Sequence, residues 1–163
     1  MALAFTVLDV SHHDREAFTC GVPALDDYLR QRAGQHQRDG IATTHVLIDD
    51  AQPNRILGYC ALSAAQLRLQ DLQDDDRKRL PAYPVPAIRV GRLAVSQSEK
   101  GKGYGQLLLG HAVNLALSVR NTLGVRVLIV DAKDAQVAAF YEGFGFRRTA
   151  DSTLMLYLPI GRT

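Results

Sequence analysis

Cysteine is scarce in this chain, and neither copy stands in a pattern that signals chemistry. Cys20 and Cys60 are the two cysteines among 163 residues, with no C-x-x-C pair and no Cys/His spacing typical of a zinc site. The histidines form no recognisable ligand set either. We therefore expect two reduced, buried thiols and no bound metal.

Long hydrophobic runs are also missing. The longest apolar stretches are far shorter than the ~20 residues that a membrane-spanning helix needs. The opening residues, MALAFTVLDVSHHDRE, lack the basic start and long apolar core of a signal peptide. These absences predict a cytoplasmic protein that does not bind membranes.

A strong excess of charge of one sign is the third absence. The formal net charge is +2, so the totals do not indicate a nucleic-acid-binding protein, although local basic patches remain possible. Hydrophobic residues make up 47% and charged residues 22%, which are ordinary values for a globular protein. The length predicts a single domain, 1–163, with a substantial core.

Hydrophobic periodicity predicts alternating strands and helices. The predicted strands include Phe5–Val10, Thr44–Asp49, Arg55–Leu69 and Ala87–Val95, and the full predicted order is β-α-β-β-β-α-β-α-β. The proline-rich segment PAYPVPA is interpreted as a loop within the domain. This order predicts an α/β fold with a mixed sheet and helices on its faces.

A glycine-rich loop follows the strand that ends at Val95. It reads KGKGYG, Lys100–Gly105, and leads into an apolar helix. It fails the P-loop pattern because Ser96 takes the first glycine position and Gly103 follows the lysine. It fails the dinucleotide fingerprint because Gln106 takes the last glycine position.

The loop still has the physical properties of an anion site. A helix start presents free N–H groups and a partial positive charge, and glycines let the backbone approach an anion closely. Lys100 and Lys102 add positive charge. From these residues alone, a phosphate site and a flexible surface turn both remain open.

A second motif lies about thirty residues further on. It reads DAQVAAFYEGFGF, Asp134–Phe146, and places Tyr141 near a predicted helix end before a glycine. Taken alone, Tyr141 is either a functional hydroxyl or a core aromatic residue with a bonded hydroxyl.

Together the two motifs resemble the GNAT superfamily of acyl-CoA-dependent N-acetyltransferases. The family loop reads Q/R-x-x-G-x-G/A, and its tyrosine region reads roughly N-x-x-A-x-x-F-Y-x-x-x-G-F. The element order fits as well, so the resemblance covers nearly the whole chain. The departures are Lys100 for Gln/Arg, Asp134 for Asn and Val137 for Ala.

The resemblance implies a mostly antiparallel central sheet of about six or seven strands, flanked by helices and splayed at its central strands to hold CoA. It implies acetyl-CoA as cosubstrate, bound by the end of the central strand and by the loop. The implied cofactor-binding residues are Leu93, Ala94, Val95, Lys100, Gly101, Lys102, Gly103, Tyr104, Gly105 and Gln106. Tyr141 is the implied catalytic acid that protonates the CoA thiolate.

A narrower resemblance lies near the N-terminus. FTCGVPALDDYL, from Phe18 to Leu29, is similar to the F-x-C-G-x-x-x-L-D-x-Y-L signature of acetyltransferase toxins from type II toxin–antitoxin modules, and VGRLAV resembles their central strand. This resemblance implies acetylation of the α-amino group of aminoacyl-tRNA, which blocks translation. It also implies neutralisation by a ribbon-helix-helix antitoxin, and a homodimer.

Basic residues could supply the tRNA contacts. Arg89 and Arg92 lie beside the predicted CoA strand and Arg38 follows the first helix, so we predict these three as substrate-binding residues. A free α-amino group has a pKa of roughly 8, against roughly 10.4 for lysine. A strong general base is therefore unnecessary, and water can accept the proton.

Two other functions remain open at this point. One is a GNAT enzyme that acetylates a small amine or a protein amino group and has no toxin activity. The other is an acyl-CoA-binding module without catalysis, against which Tyr141 and the intact glycine loop argue.

Overall fold

The computed structural model describes residues 2–78, 80–151 and 154–160. Within these ranges the chain forms seven strands and five α-helices. The strands are β1 Leu3–Val7, β2 Thr43–Asp49, β3 Gly58–Leu67, β4 Val85–Val95, β5 Val127–Asp131, β6 Arg147–Arg148 and β7 Met155–Pro159. The helices are α1 Pro23–Asp27, α2 Ala33–Arg38, α3 Asp74–Arg77, α4 Tyr104–Val119 and α5 Ala135–Glu142, with a π-helical turn, Tyr28–Arg32, between α1 and α2.

The seven strands are hydrogen-bonded in the order β1-β2-β3-β4-β5-β7-β6. The register pairs β1 with β2, β2 with β3, β5 with β7 and β6 with β7 in antiparallel fashion, and β4 with β5 in parallel. The prediction of a mixed, mostly antiparallel sheet is therefore confirmed. The two-residue strand β6 has no counterpart in the predicted order, because so short a strand leaves no periodicity to read.

The chain divides into two compact units. The first unit comprises Met1–Ser63 and Arg92–Ala112. The N-terminal signature contributes to its core, since Phe18, Cys20, Tyr28 and Leu29 are all buried there. Asp26 is buried beside them and accepts hydrogen bonds from Cys20 N (2.9 Å) and Thr19 Oγ1 (3.2 Å). Most residues of the signature are thus structural.

The second unit comprises Ala64–Gly91 and Val113–Thr163. Its core cluster includes the buried Leu67, Val127, Ile129 and Tyr157. Burial of each large apolar side chain stabilises the fold by about 1.5–3 kcal/mol. The Tyr157 hydroxyl is satisfied because it accepts a hydrogen bond from Gln73 N (2.8 Å) and donates one to Asp76.

The first strand lies earlier than the sequence predicted. We expected Phe5–Val10, whereas β1 is Leu3–Val7. Asp9 starts a turn instead, because its side chain accepts a hydrogen bond from Ser11 N (3.0 Å) and its carbonyl accepts one from His13 N (2.9 Å). Aspartate readily forms such local bonds and so ends a strand.

Both cysteines are free and buried, as expected. Burial raises the pKa of Cys60 to about 12, so this thiol stays protonated. Within the described ranges, no group of three or more His, Cys, Asp or Glu residues is arranged to hold a metal ion. None of the helices described has the length and apolarity to cross a membrane.

Candidate active site

The predicted CoA strand is the last part of β4, in the first unit. Ala94 is buried, and Leu93 and Val95 on either side of it are half-buried. The chain leaving this strand is anchored immediately, because Ser96 N donates to Leu57 O (2.9 Å) and the next residue, Gln97, donates from its N–H to Thr19 O (2.8 Å). The strand end and the start of the loop are therefore fixed to their surroundings.

Two of the three loop glycines have backbone conformations that favour glycine. Gly101 has φ +84° and Gly103 has φ +80°, both in the left-handed region. A Cβ atom built on either residue meets no atom within 4 Å. Open space on that side leaves room for a ligand to approach the backbone.

Helix α4 begins at Tyr104, directly after these glycines. The N–H of Leu107 donates to Gly103 O (3.2 Å) and makes the first turn. The N–H groups of Tyr104, Gly105 and Gln106 precede this bond and have no acceptor within the helix. These groups and the helix dipole provide a partial positive charge without a charged side chain.

The loop lysines differ in their surroundings. Lys102 Nζ lies 2.5 Å from Oε2 of the buried Glu99. A hydrogen bond between them raises the pKa of Lys102 and lowers that of Glu99. Lys100 is exposed. The positive charge of Lys102 is therefore largely offset by a neighbouring carboxylate.

The predicted catalytic residue, Tyr141, lies on α5 in the second unit. It is 4% exposed, and its ring contacts Phe140 (centroids 5.4 Å apart) and Phe146 (5.6 Å). Gly145 has φ +91° and so turns the chain sharply after the helix. The sequence motif thus corresponds to a compact aromatic helix end.

Asp134, one of the departures from the family pattern, has a clear local role. It is the N-cap of α5, and its Oδ1 accepts a hydrogen bond from Val137 N (2.9 Å). Aspartate is among the best residues at this position. The substitution therefore preserves the start of the helix that carries Tyr141.

The three predicted substrate arginines have different environments. In the first unit, Arg92 is half-buried and lies over the ring of Tyr28 (3.7 Å from its centroid), whereas Arg38 is exposed at the end of α2. In the second unit, Arg89 forms an ion pair with Asp131. A paired arginine offers less unbalanced charge to a phosphate than a stacked or exposed one.

Two residues near the site were not predicted from the sequence: Glu99, and Tyr28 as the partner of Arg92. Glu99 is 6% exposed although it carries a charge, and it contacts Arg55 as well as Lys102. The spacing in the sequence could have indicated an ion pair, because Glu99 and Lys102 are three residues apart, on either side of Gly101. For Tyr28 the sequence showed a signature position but not its partner on β4.

A model of a known protein family matches this chain. The model described as "Acetyltransferase (GNAT) domain" matches residues 40–148, which is more than half of the chain. The chain belongs to the GNAT acetyltransferase family. The prediction of an acetyl-CoA-dependent acetyltransferase is thereby confirmed, and the sheet described above is the GNAT-type sheet.

Two proteins similar to this chain have names that refer to tRNA acetylation or to an acetylated aminoacyl-tRNA. A "tRNA-acetylating toxin" of Mycobacterium tuberculosis (strain ATCC 25618 / H37Rv) is 34% identical over 89% of this chain and 85% of its own length. The structure of AtaT complexed with acetyl-methionyl-tRNAfMet is 26% identical, with a TM-score of 0.90 over 97% of this chain and 95% of that one.

A third comparison involves an antitoxin. A tyrosine-to-phenylalanine mutant of AtaT, bound to the C-terminus of the antitoxin AtaR and acetyl-CoA, is 25% identical. Its TM-score is 0.82, over 97% of this chain and 93% of that chain. The predicted resemblance of this GNAT chain to toxins of toxin–antitoxin modules is confirmed.

Proposed function

We propose that this chain transfers an acetyl group from acetyl-CoA to the α-amino group of an aminoacyl-tRNA and thereby blocks translation. The observation that carries the proposal is the 34% identity to a tRNA-acetylating toxin across 89% of the chain. The N-terminal signature, Phe18 to Leu29, supports the same substrate class because it is similar to the signature of acetyltransferase toxins.

The donor site in this proposal is formed by the end of β4 and by the glycine loop. The backbone of Leu93, Ala94 and Val95 holds the pantetheine arm, where the predicted splay of the sheet leaves room for it. The N–H groups from Gly101 to Gln106 hold the pyrophosphate. The left-handed glycines and the start of α4 support this assignment, because both present backbone N–H groups to an anion.

The chemistry is a direct acyl transfer. The neutral amine attacks the thioester carbonyl carbon, so a C–N bond forms, the C–S bond breaks and water takes the proton lost by the amine. Tyr141 gives its phenolic proton to the departing thiolate and recovers a proton from water before the next turnover. A backbone N–H, that of Val95, stabilises the oxyanion of the tetrahedral intermediate.

The acceptor is held by arginines that contact tRNA phosphates. Arg92 is the strongest candidate because the Tyr28 ring orients its guanidinium. Arg38 is a second candidate because its side chain is exposed. Arg89 can contribute only by sharing or exchanging its partner Asp131. Such contacts make binding fall with rising salt concentration.

The partners follow from the same proposal. A ribbon-helix-helix antitoxin neutralises the enzyme, which is active in the cytoplasm as a homodimer of one GNAT domain per chain. The complex of an AtaT mutant with the C-terminus of the antitoxin AtaR supports a protein antitoxin. Co-purification with the product of a neighbouring small gene, and sedimentation of the free enzyme, test these two statements.

The central experiment is incubation of the enzyme with acetyl-CoA and a pool of charged tRNAs, followed by mass spectrometry. We expect N-acetyl-aminoacyl-tRNA for one or a few tRNA species, and no acetyl transfer to uncharged tRNA. If no charged tRNA is acetylated while a small amine or a protein amino group is, the acceptor in this proposal is wrong and the enzyme belongs to the other GNAT class.

A further inference from the structure

The carboxylate of Glu99 joins two cations at the base of the glycine loop. Its side chain is only 8% exposed, with Oε1 2.7 Å from Arg55 Nη2 and Oε2 2.5 Å from Lys102 Nζ. Each oxygen thus has its own positively charged partner. We call Arg55, Glu99 and Lys102 the loop clasp.

Arg55 connects the clasp to the segment between β2 and β3. Its backbone N–H donates to Gln52 O (3.1 Å), and its Nη2 also donates to Ser98 Oγ (2.8 Å), one residue before Glu99. A hydrogen bond from Asp14 N to Asn54 O (2.8 Å) ties this segment to the N-terminal part of the first unit. The clasp therefore has a firm anchor at one end.

At its other end the clasp spans a turn of the loop itself. Lys100 has φ −62° and ψ 146°, and Gly101 has φ +84°. These angles match a type II turn from Glu99 to Lys102, with glycine at the position that needs positive φ. The ion pair between Glu99 and Lys102 therefore joins the first and last residues of that turn.

The arrangement also determines what Lys102 can do. A buried carboxylate is costly unless it is paired, and the two cations keep the pKa of Glu99 below its usual value. Lys102 is 55% exposed but directed to Glu99. Its ammonium is thus already engaged in holding the turn.

We propose that Glu99 is a positioning residue for acetyl-CoA, because the loop clasp fixes the Glu99–Lys102 turn and thereby pre-organises the backbone N–H groups for the pyrophosphate. In this arrangement Lys102 acts through Glu99 and is not the main phosphate ligand. Pre-organisation improves affinity because less disorder is lost on binding. The inference rests on the donor site of the proposed function.

The test is a double-mutant cycle on CoA affinity. Isothermal titration calorimetry with CoA is performed on the wild type, Glu99→Gln, Lys102→Ala and the double variant. We expect the Kd to rise about tenfold for Glu99→Gln and about threefold for Lys102→Ala. The double variant should bind no more weakly than Glu99→Gln alone, because both changes break one unit.

A direct phosphate role for Lys102 gives a different pattern. Lys102→Ala would then weaken CoA binding by the same factor with or without Glu99, and Glu99→Gln would leave affinity unchanged or improve it. Either result overturns the inference. If Glu99→Gln folds poorly, the exposed Lys102→Ala variant still separates the two roles by the size of its effect. A rise in Kd of about threefold supports the clasp, whereas a rise well above about tenfold supports a direct phosphate contact and overturns the inference.

Asp71→Asn is the matched control. Asp71 is 14% exposed and pairs with Arg68 (2.8 Å) in the second unit, so its loss reports the effect of removing a partly buried carboxylate. We expect a comparable fall in Tm for Asp71→Asn and Glu99→Gln, with CoA affinity reduced only in the latter. Absence of CoA binding by the wild type would refute the proposed donor site itself, whereas normal binding by Glu99→Gln refutes only the clasp.

Discussion

The guanidinium carbon of Arg92 lies 3.7 Å from the centroid of the Tyr28 ring. Tyr28 is 2% exposed and is fixed in turn by a hydrogen bond between its hydroxyl and His36 Nδ1 (3.0 Å). A cation over an aromatic face is stabilised by about 0.5–2 kcal/mol. The helical signature therefore orients an arginine on the strand that we assign to the donor.

Arg92→Gln tests whether this arginine serves the acceptor. We expect kcat/KM for charged tRNA to fall about tenfold, because one phosphate contact is lost, while the KM for acetyl-CoA stays within about twofold of the wild-type value. Steady-state kinetics at two salt concentrations measure both constants. A wild-type salt dependence in the variant would contradict a phosphate contact.

Tyr28→Phe is the control for that experiment. It keeps the ring under Arg92 but removes the hydroxyl that pairs with His36. The expected result is a stability loss of about 1 kcal/mol with nearly unchanged kinetics. Tyr28→Leu removes the ring and should lower kcat/KM in the same direction as Arg92→Gln.

Gly103→Val tests the backbone geometry of the loop. The φ of +80° at Gly103 strains any β-branched residue, and the side chain would occupy open space that we assign to the approach of the pyrophosphate. We expect CoA binding to be abolished. Calorimetry measures the affinity, and a melting curve measures the cost to folding.

Gly40→Val provides the matched control for backbone strain. Gly40 has φ +72°, and like Gly103 it has no atom within 4 Å of a built Cβ, but it follows α2 and lies outside the loop. The variant should lose similar stability and still bind CoA. Equal loss of CoA binding in both variants would mean that Gly103 matters only for folding.

Local chemistry explains which features the sequence could predict. The loop was predictable because the strand end, the glycines and the helix start follow one another within a dozen residues. The Tyr141 helix was predictable because its motif, Asp134–Phe146, is also one short continuous stretch of sequence. The contacts of Arg92 with Tyr28 and of Glu99 with Arg55 join distant parts of the sequence, where no spacing rule applies. The strand β1 ends earlier than predicted because Asp9 forms a turn.

A pair of histidines should make stability depend on pH. His45 Nδ1 and His111 Nε2 are 2.9 Å apart, and His111 stacks on Phe5. Burial lowers the pKa of His111 and, with the charge of His111 as a smaller cause, that of His45. The folded protein therefore binds fewer protons than the unfolded chain as pH falls through the unfolded value of about 6.5, and stability is lost below that pH.

Melting temperatures at about pH 7.5 and about pH 5.5 test this linkage. We expect a fall in Tm for the wild type and a smaller fall for the double variant His45→Gln/His111→Gln. The pKa of His13 is also lowered, but His13 is present in both proteins, so its contribution to the pH dependence of Tm is the same in both. An identical pH dependence in the two proteins would show that the pKa values of the pair do not differ between the folded and unfolded states, which contradicts the prediction.

Tyr141→Phe is the most direct test of the proposed chemistry. The variant keeps the ring that packs between Phe140 and Phe146 but has no proton to give to the CoA thiolate. Loss of general acid catalysis typically costs about 10²–10⁴ in rate, so kcat should fall by this factor while the Kd for CoA changes little.

Phe144→Leu is the control for aromatic packing in the same region. Phe144 is 42% exposed and contacts Phe140, but it lacks a hydroxyl. We expect nearly normal turnover from it. If Tyr141→Phe also acetylated charged tRNA at the wild-type rate, the leaving thiolate would take its proton from another group, and Tyr141 would be a core aromatic residue.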